Sequence, residues 1–527
     1  MKHCLSVLLV ALTCCHLGSG LRILGMFPLN GHSHWVMAER LMLALAERGH
    51  QVDVVTHFPM KKTPPNYTQF SLDGSLKAVK NNIDAKTAAE FGKLNFDKLV
   101  SMAGVDICDL LSHENIQRFI KNPPNDPPYD LVVIEVFMAP CYLAFGRHLN
   151  VPIVSITTSA FSDWLEDVTG NPHNPAFVPS IFSSFGQRMG FWDRLLNTVL
   201  SNYVAYELNS RMDWMSKHVK DHFGIDVGAR DLHKDIGLYL VNSHHSLNGI
   251  RPNSNGVVEV GGLHVTENGN PLSPEVEKWL DESTHGCIYF TFGSMIRIET
   301  FPEPTLRAIY TVFENIAPIR VLMKVAKKED LLPGLPKNVM VQPWFPQVTV
   351  FKHKNIKAFI THGGLMGLQE AVYFGIPLVG VPIFGDQSTN LKNVAAKKLA
   401  VSLSSPDNIT VETLSYALDK ILNDDEYRTN MKRVSTLFKD RPMKAIDTAI
   451  YWVEYVGRHG NILRSPAIHL AWWQQKLLDV YGFLLACLLI VILVVVYVLR
   501  KITRLVFGCK SCSKTSSGKT SESKKRK

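Results

Sequence analysis

Three short runs stand in order between residues 344 and 387: Trp344-Phe-Pro-Gln347, then His362-Gly363-Gly364-Leu-Met-Gly367-Leu-Gln-Glu370, then Pro382-Ile-Phe-Gly-Asp386-Gln387. Lys357–Thr361 reads as a strand entering the His-Gly-Gly turn, and Leu365–Tyr373 as a helix leaving it. Glycines at such a turn let backbone N–H groups approach an anion, and the helix N-terminus adds positive potential. Trp344 offers a face to a base, an interaction worth ~1–3 kcal/mol per base in nucleic-acid complexes. Glu370, about two turns into the helix, could accept both hydroxyls of a ribose. Asp386 and Gln387 follow another strand, Pro377–Val381, and carry acceptors and donors suited to sugar hydroxyls. Singly, a Gly-Gly turn is a turn and a tryptophan is core; together and in order they describe a nucleotide-sugar site.

Transfer from such a donor also needs a base. His34 lies in the predicted loop Pro28–His34 after a first strand, and an imidazole near its usual ~6.5 suits proton abstraction at neutral pH. His32, two residues away, is the competing histidine, and a zinc reading of the pair lacks a third ligand nearby. No Asp-x-Asp triplet occurs in the chain, so a metal-bridged diphosphate is not expected, nor a paired-carboxylate glycosidase site.

The elements that must position these groups alternate strand and helix. Arg22–Phe27 is a strand, Met37, Leu41, Ala44 and Leu45 mark a helix stopped by Gly49, and Gln51–Thr56 is a second strand. Leu131–Val136 and Pro152–Thr157 read as later strands of one parallel sheet. A second series begins with Cys287–Phe292, a helix near Pro304–Asn315 and a strand Ile319–Val325. The fold class is therefore α/β, two doubly wound Rossmann-like domains facing a cleft at the carboxyl ends of their sheets. Gly249–Asn270 is the candidate linker, giving a first domain over 21–252 and a second over 253–465.

The 527 residues are 46% apolar and 20% charged, which excludes a disordered or disulfide-stapled chain. Residues 1–20 have the charge–apolar–small layout of a secretory signal. After a membrane-proximal stretch, 466–480, residues 481–499 carry no charge and at ~1.5 Å each cover about 28 Å, a membrane span. Arg500, Lys501 and Arg504 favour a cytosolic side for the tail 500–527. That tail holds ten Lys/Arg against Glu522, so most of the formal charge of +9 resides there and nucleic acid is not an expected partner. The layout is single-pass with a lumenal body. Among lumenal cysteines, Cys108, Cys141 and Cys287 allow at most one disulfide. Asn66 and Asn408 head N-glycosylation sequons.

The 344–387 segment resembles the signature of the animal UDP-glycosyltransferases. The similarity extends to Ser33-His34-Trp35, Tyr289–Ser294, Tyr451-Trp452-Val453-Glu454, Trp472–Val480 and the Lys-rich tail, nearly the whole chain. The resemblance implies a GT-B fold with a C-terminal domain for the UDP-sugar and an N-terminal domain for the acceptor. By motif position Trp344 stacks on uracil, Gln347 and Glu370 hold the ribose, and His362, Gly364, Gly367 and Ser294 meet the diphosphate. Asp386 and Gln387 grip the sugar. It makes His34 the catalytic base and puts its carboxylate partner at Glu135, where relatives often have Asp. Met366 stands where many have Asn.

The implied reaction inverts an α-linked donor to a β-glycoside on a hydroxyl of a small lipophilic acceptor. The UDP-sugar is a co-substrate, with no metal or other cofactor. Vertebrate glucuronosyl relatives carry basic residues soon after the Gly-Gly-x-His segment; here Gly261-Gly262-Leu263-His264 leads instead to Glu267, which would repel a uronate if that loop reaches the sugar. With an overall pattern closer to the invertebrate branch, this gives UDP-glucose as the expected donor and UDP-glucuronate as the alternative. A non-catalytic lumenal carrier is a further alternative, whose mark would be loss of His34 or the Asp386-Gln387 pair. The terminal Lys524-Lys525-Arg526-Lys527 resembles an endoplasmic-reticulum retrieval signal. Aromatics between 160 and 225, among them Phe161, Trp164, Phe191, Trp192 and Trp214, read as acceptor pocket or as core, and self-association is left open.

Overall fold

The computed structural model describes residues 20–508 apart from 94, 184 and 268. The signal-like start and the terminal lysines lie outside the described residues. The chain divides into two units, one ending at Ile468 and one beginning at His469.

In the first unit, β1 (Arg22–Phe27), α1 (His32–Glu47), β2 (Gln51–Thr56), β3 (Tyr67–Ser71), α2 (Ala85–Gly92), β4 (Leu131–Glu135), β5 (Ile153–Thr157), α3 (Asp163–Thr169), α4 (Phe191–Met212), β6 (Ile236–Val241) and β7 (Val257–Glu259) build the first domain. Its seven strands are parallel in the order β3-β2-β1-β4-β5-β6-β7. The apolar runs of β4, β5 and β6 are what a parallel sheet covered on both faces requires. The second domain contains β8 (Cys287–Thr291), α5 (Glu303–Asn315), β9 (Arg320–Lys324), β10 (Val339–Gln342), α6 (Gln347–Lys352), β11 (Ile356–Thr361), α7 (Leu365–Phe374), β12 (Leu378–Gly380), α8 (Gln387–Ala395), β13 (Ala400–Ser402) and α9 (Ala445–His459). Its six parallel strands run β10-β9-β8-β11-β12-β13.

The domains exchange pieces. β7 extends the first sheet although it lies past residue 252, and Val260 and Leu263 are buried in that domain's core. The Gly/Asn-rich 249–270 stretch is thus not a free linker, because its interspersed valines and leucine join a sheet edge and a core. Ala449, Ile450, Val453 and Val456 of α9 pack in the same core as Leu41 and Leu45 of α1. Conversely, Ile83 and Ala88 enter the second domain's core. Asn81 N–H donates to the Ser294 carbonyl (2.8 Å) and Ile83 N–H to that of Met295 (3.0 Å), strapping the domains together beside the cleft.

Cys108 and Cys141 form the disulfide, leaving Cys287 buried and free. In the second unit, α10 (Leu478–Gly508) is long and apolar enough to cross a membrane, and it extends the apolar run 481–499 at both ends.

Candidate active site

Both sheets reverse strand order at the point where the chemistry-bearing residues collect, β1/β4 in the first and β8/β11 in the second. Crevices at such switch points are the ligand sites of open α/β sheets. His34 follows β1, Glu135 ends β4, and Thr158 follows β5, so three adjacent parallel strands deliver three side chains to one spot. Sequence reasoning put His34 in a loop; the helix instead begins at His32, capped by Gly31, whose carbonyl accepts from the N–H groups of His34 and Trp35. His34 is therefore held on the first turn of a 16-residue helix.

The Nδ1 of His34 lies 2.5 Å from Glu135 Oε1. Thr158 Oγ1 is 2.9 Å from the same nitrogen and donates to the same carboxylate oxygen at 3.2 Å. The Glu135 side chain is 5% exposed and that of His34 24%. Burial lowers the imidazole pKa, but the charge and hydrogen bond of Glu135, helped by the charge of Asp386, outweigh it and leave it raised. With Nδ1–H given to Glu135, Nε2 is the nitrogen available to accept a proton. Met26 and Ile134 pair across β1 and β4, so Glu135 follows at the carboxyl end of β4 beside the end of β1. His32 is a different kind of residue. Its ring meets Phe58 and Trp344 edge-on at 5.2 and 5.7 Å, and burial, with Lys80 and Lys324 nearby, takes its pKa down to about 4.

Across the cleft, Gly293 (φ +77°) and Gly363 (φ +87°) occupy backbone conformations that favour glycine. A Cβ on Gly293 would meet the His362 ring at 2.6 Å and one on Gly364 would meet its Nε2 at 2.7 Å, so these glycines make room for that imidazole. A Cβ on Gly367 would stand 3.4 Å from Gln347 Nε2. The Ser294 hydroxyl and His362 Nδ1 are buried without hydrogen-bond partners. Two orphaned polar groups beside a glycine turn are what an absent oxyanion would satisfy. Burial and the Lys324 charge bring His362 to about 4, so in the free protein it is a neutral imidazole and not a cation.

Trp344 is 44% exposed, with Lys80 Nζ 4.8 Å from its ring centroid. Gln347 Nε2 donates to Glu370 Oε2 at 2.5 Å, and His264 Nε2 stands 3.3 Å from the other oxygen, poorly aimed for a hydrogen bond. Each carboxylate oxygen keeps a lone pair for a ribose hydroxyl. Asp386 caps α8 and accepts from Asn390 Nδ2 at 2.8 Å; burial raises its pKa against the pull of Asn390 and His34. The charges of Asp386 in the second domain and His34 in the first act on one another, Asp386 raising the His34 pKa and His34 lowering that of Asp386. Gln387 spends its Oε1 on the N–H groups of Ile383 (2.8 Å) and Phe384 (3.0 Å), leaving its amide N–H groups.

Several participants escaped sequence reasoning. Thr158 is one. Asn242 Nδ2 donates to the Thr158 carbonyl (2.9 Å), and Gln369 Nε2 to the Asn242 carbonyl (3.2 Å), linking Thr158 to α7. Buried Lys324 donates to the Gly293 carbonyl (2.8 Å) and to Asn81 Oδ1. Gln369, inside the signature, was the one with a visible signal. Met366 packs against the core containing Phe27 and Trp35, so its departure from Asn is used for contact between domains. Glu267 accepts from Tyr373 Oη at 2.9 Å, and its carbonyl from Lys352 Nζ at 2.5 Å. Its carboxylate is committed at the far end of α7 and does not serve as the expected sugar-side repeller.

The family model "UDP-glucoronosyl and UDP-glucosyl transferase" matches residues 6–513. The chain belongs to that family. It is 36% identical over 490 residues to "UDP-glucosyltransferase 2" of Dactylopius coccus, covering 92% of this chain and 93% of the relative. It is 29% identical to "UDP-glucuronosyltransferase 1A7" of Mus musculus, covering 95% and 94%. A solved structure, "Crystal Structure Analysis of the Glycotransferase of kitacinnamycin", superposes with a TM-score of 0.55 at 16% identity, over 83% of this chain and 99% of that one. That similarity concerns the fold, which is GT-B. The protein is a UDP-glycosyltransferase.

Proposed function

We propose that this UDP-glycosyltransferase transfers glucose from UDP-glucose to a hydroxyl of small lipophilic acceptors with inversion at the anomeric carbon. The carrying observation is the His34–Glu135 contact at 2.5 Å, joined by Thr158 Oγ1 at 2.9 Å from the same imidazole nitrogen. His34 Nε2 takes the acceptor proton, Glu135 stabilises the resulting imidazolium, and Thr158 holds the carboxylate. The freed oxygen attacks the anomeric carbon from the side opposite UDP, which inverts it. Leaving-group charge falls on the Ser294 hydroxyl, the His362 Nδ1–H and the glycine-turn N–H groups, donors fixed before reaction, and needs no metal ion. Trp344 carries the uracil, Gln347 and Glu370 the ribose, and Asp386 and Gln387 the hexose hydroxyls.

Glucose is favoured because the hydrogen-bond partners around Asp386 and Gln387 are Asn390, Ile383 and Phe384, with no lysine or arginine among them. A uronate carboxylate there would meet a carboxylate, a costly arrangement in a partly dry cleft. UDP-glucuronate is the second reading, since Glu267 is turned away from the sugar. The same proposal has the body in the lumen of the endoplasmic reticulum, spanned once by α10, with the tail cytosolic. Matched donor assays on a phenol panel, with protein in native membranes, test it. The expected result is a higher kcat/KM with UDP-glucose and a β-linked product by NMR. A higher kcat/KM with UDP-glucuronate, or an α-linked product, overturns it.

A further inference from the structure

Two ammonium groups meet at the Trp344 ring without a carboxylate between them. Lys80 of the first domain is exposed, with Nζ 4.8 Å from the ring centroid. Lys324 of the second domain is 4% exposed, with Nζ 5.9 Å from the same centroid. Lys324 gives its N–H groups to neutral acceptors, the Gly293 carbonyl (2.8 Å) and Asn81 Oδ1. Glu299, whose charge reaches Lys324, is committed to Arg297 Nε (3.1 Å) and to the Lys327 N–H (3.1 Å). Burial takes the Lys324 pKa down to about 8, with Glu299 pulling it up and Lys80 pushing it further down. An ammonium buried without a carboxylate partner is costly, so this spot is short of an anion.

Lys80 is held at the seam between the domains. Before it, Val79 N–H donates to the Asn30 carbonyl (2.8 Å), and Val79 bridges to Gly31, the cap of the helix that carries His34. After it, Asn81 N–H donates to the Ser294 carbonyl (2.8 Å). The backbone thus fixes Lys80 one residue from the contact with Ser294, whose hydroxyl lacks a partner. We propose that Lys80 is a donor-binding residue contributed by the first domain: as uracil stacks on Trp344, the ammonium leaves the ring and meets the diphosphate beside the Ser294 hydroxyl. This rests on the UDP-sugar reading of the cleft and extends it. Ser294, the neutral His362 and the glycine-turn N–H groups bring no net charge to a diphosphate, which is a dianion. Lys324, pinned by Gly293 and Asn81, keeps the potential positive there, while Lys80, whose ammonium rests only on the Trp344 ring among the described residues, is the cation able to move onto a phosphate oxygen. The donor site is then incomplete without the acceptor-binding domain.

Calorimetry on the full chain in detergent micelles, with uridine and UDP as the ligands, tests it. Lys80→Met should weaken UDP about 10-fold and uridine by less than about twofold, and the UDP loss should shrink as salt is raised. Lys80→Arg should keep UDP affinity within about threefold of wild type, since it retains the charge. Unchanged UDP affinity in Lys80→Met overturns the proposal. So does an equal loss for UDP and uridine, which would make the lysine a cover for Trp344 and no more. A wild-type chain that binds no UDP overturns the reading of the cleft together with the proposal. Should Lys80→Met not fold, acetylation of Lys80 in the wild-type chain, read by mass spectrometry, decides: protection by UDP and not by uridine supports the proposal, and equal modification with both overturns it.

Discussion

Glu135→Gln removes a charge and little else. The amide oxygen can still accept from His34 Nδ1 at the 2.5 Å position, and Thr158 can still donate to it. What is lost is the difference between a charged and a neutral acceptor for the imidazolium formed as the acceptor proton is taken. Hydrogen bonds to charged groups contribute about 1.5–3 kcal/mol, which corresponds to about a 10- to 150-fold loss in kcat. The pH profile gives a second, independent sign. His34 works as a base in its neutral form, so activity falls as pH drops through its pKa, which burial lowers and Glu135 raises by more. Without the Glu135 charge, burial is opposed less, and the acid limb of kcat/KM moves to lower pH. Steady-state kinetics across pH with a saturating acceptor measures both effects. A variant within twofold of wild type with an unmoved acid limb would refute the His34–Glu135 assignment.

Ser294→Ala should leave thermal stability unchanged, because the hydroxyl has no partner in the free protein, yet weaken UDP binding by about 0.5–1.5 kcal/mol in calorimetry. Trp344→Ala should weaken UDP-sugar binding by ~1–3 kcal/mol and affect KM more than kcat. Gly293→Ala should lower stability by roughly 1–3 kcal/mol in denaturant unfolding, since the residue sits at φ +77° and its Cβ would strike the His362 ring. Loss of the Cys108–Cys141 bridge, which closes a separation of 33 residues, should cost about 2–4 kcal/mol by the same assay.

The alternation of apolar strands and periodic helices made the two sheets legible, because strands buried on both faces read as apolar runs; β1 and β2 begin and end where the sequence places them. The donor-side groups were legible because they are clustered in sequence between 344 and 387. The first-domain partners were less so, since Thr158 and Asn242 reach the site only through sheet neighbours far away in sequence. No local pattern announces such a pairing. The reach of the first domain was less legible as well: β7, past residue 252, pairs with β6, and α9, late in the chain, packs in the same core as α1. Glu267 shows the opposite error, a charge judged by its position in sequence when its carboxylate is bound by Tyr373.

The central claim is that His34 is the base and His32 is not. The direct measurement is turnover of UDP-glucose with a phenol acceptor in His34→Ala and His32→Ala, alongside UDP affinity for each. The account predicts a ~10²–10⁴-fold fall in kcat for His34→Ala with UDP affinity close to wild type. It predicts a smaller change for His32→Ala, read in donor affinity, because that ring contacts Trp344. Wild-type turnover in His34→Ala, or a collapse of kcat in His32→Ala alone, would contradict it.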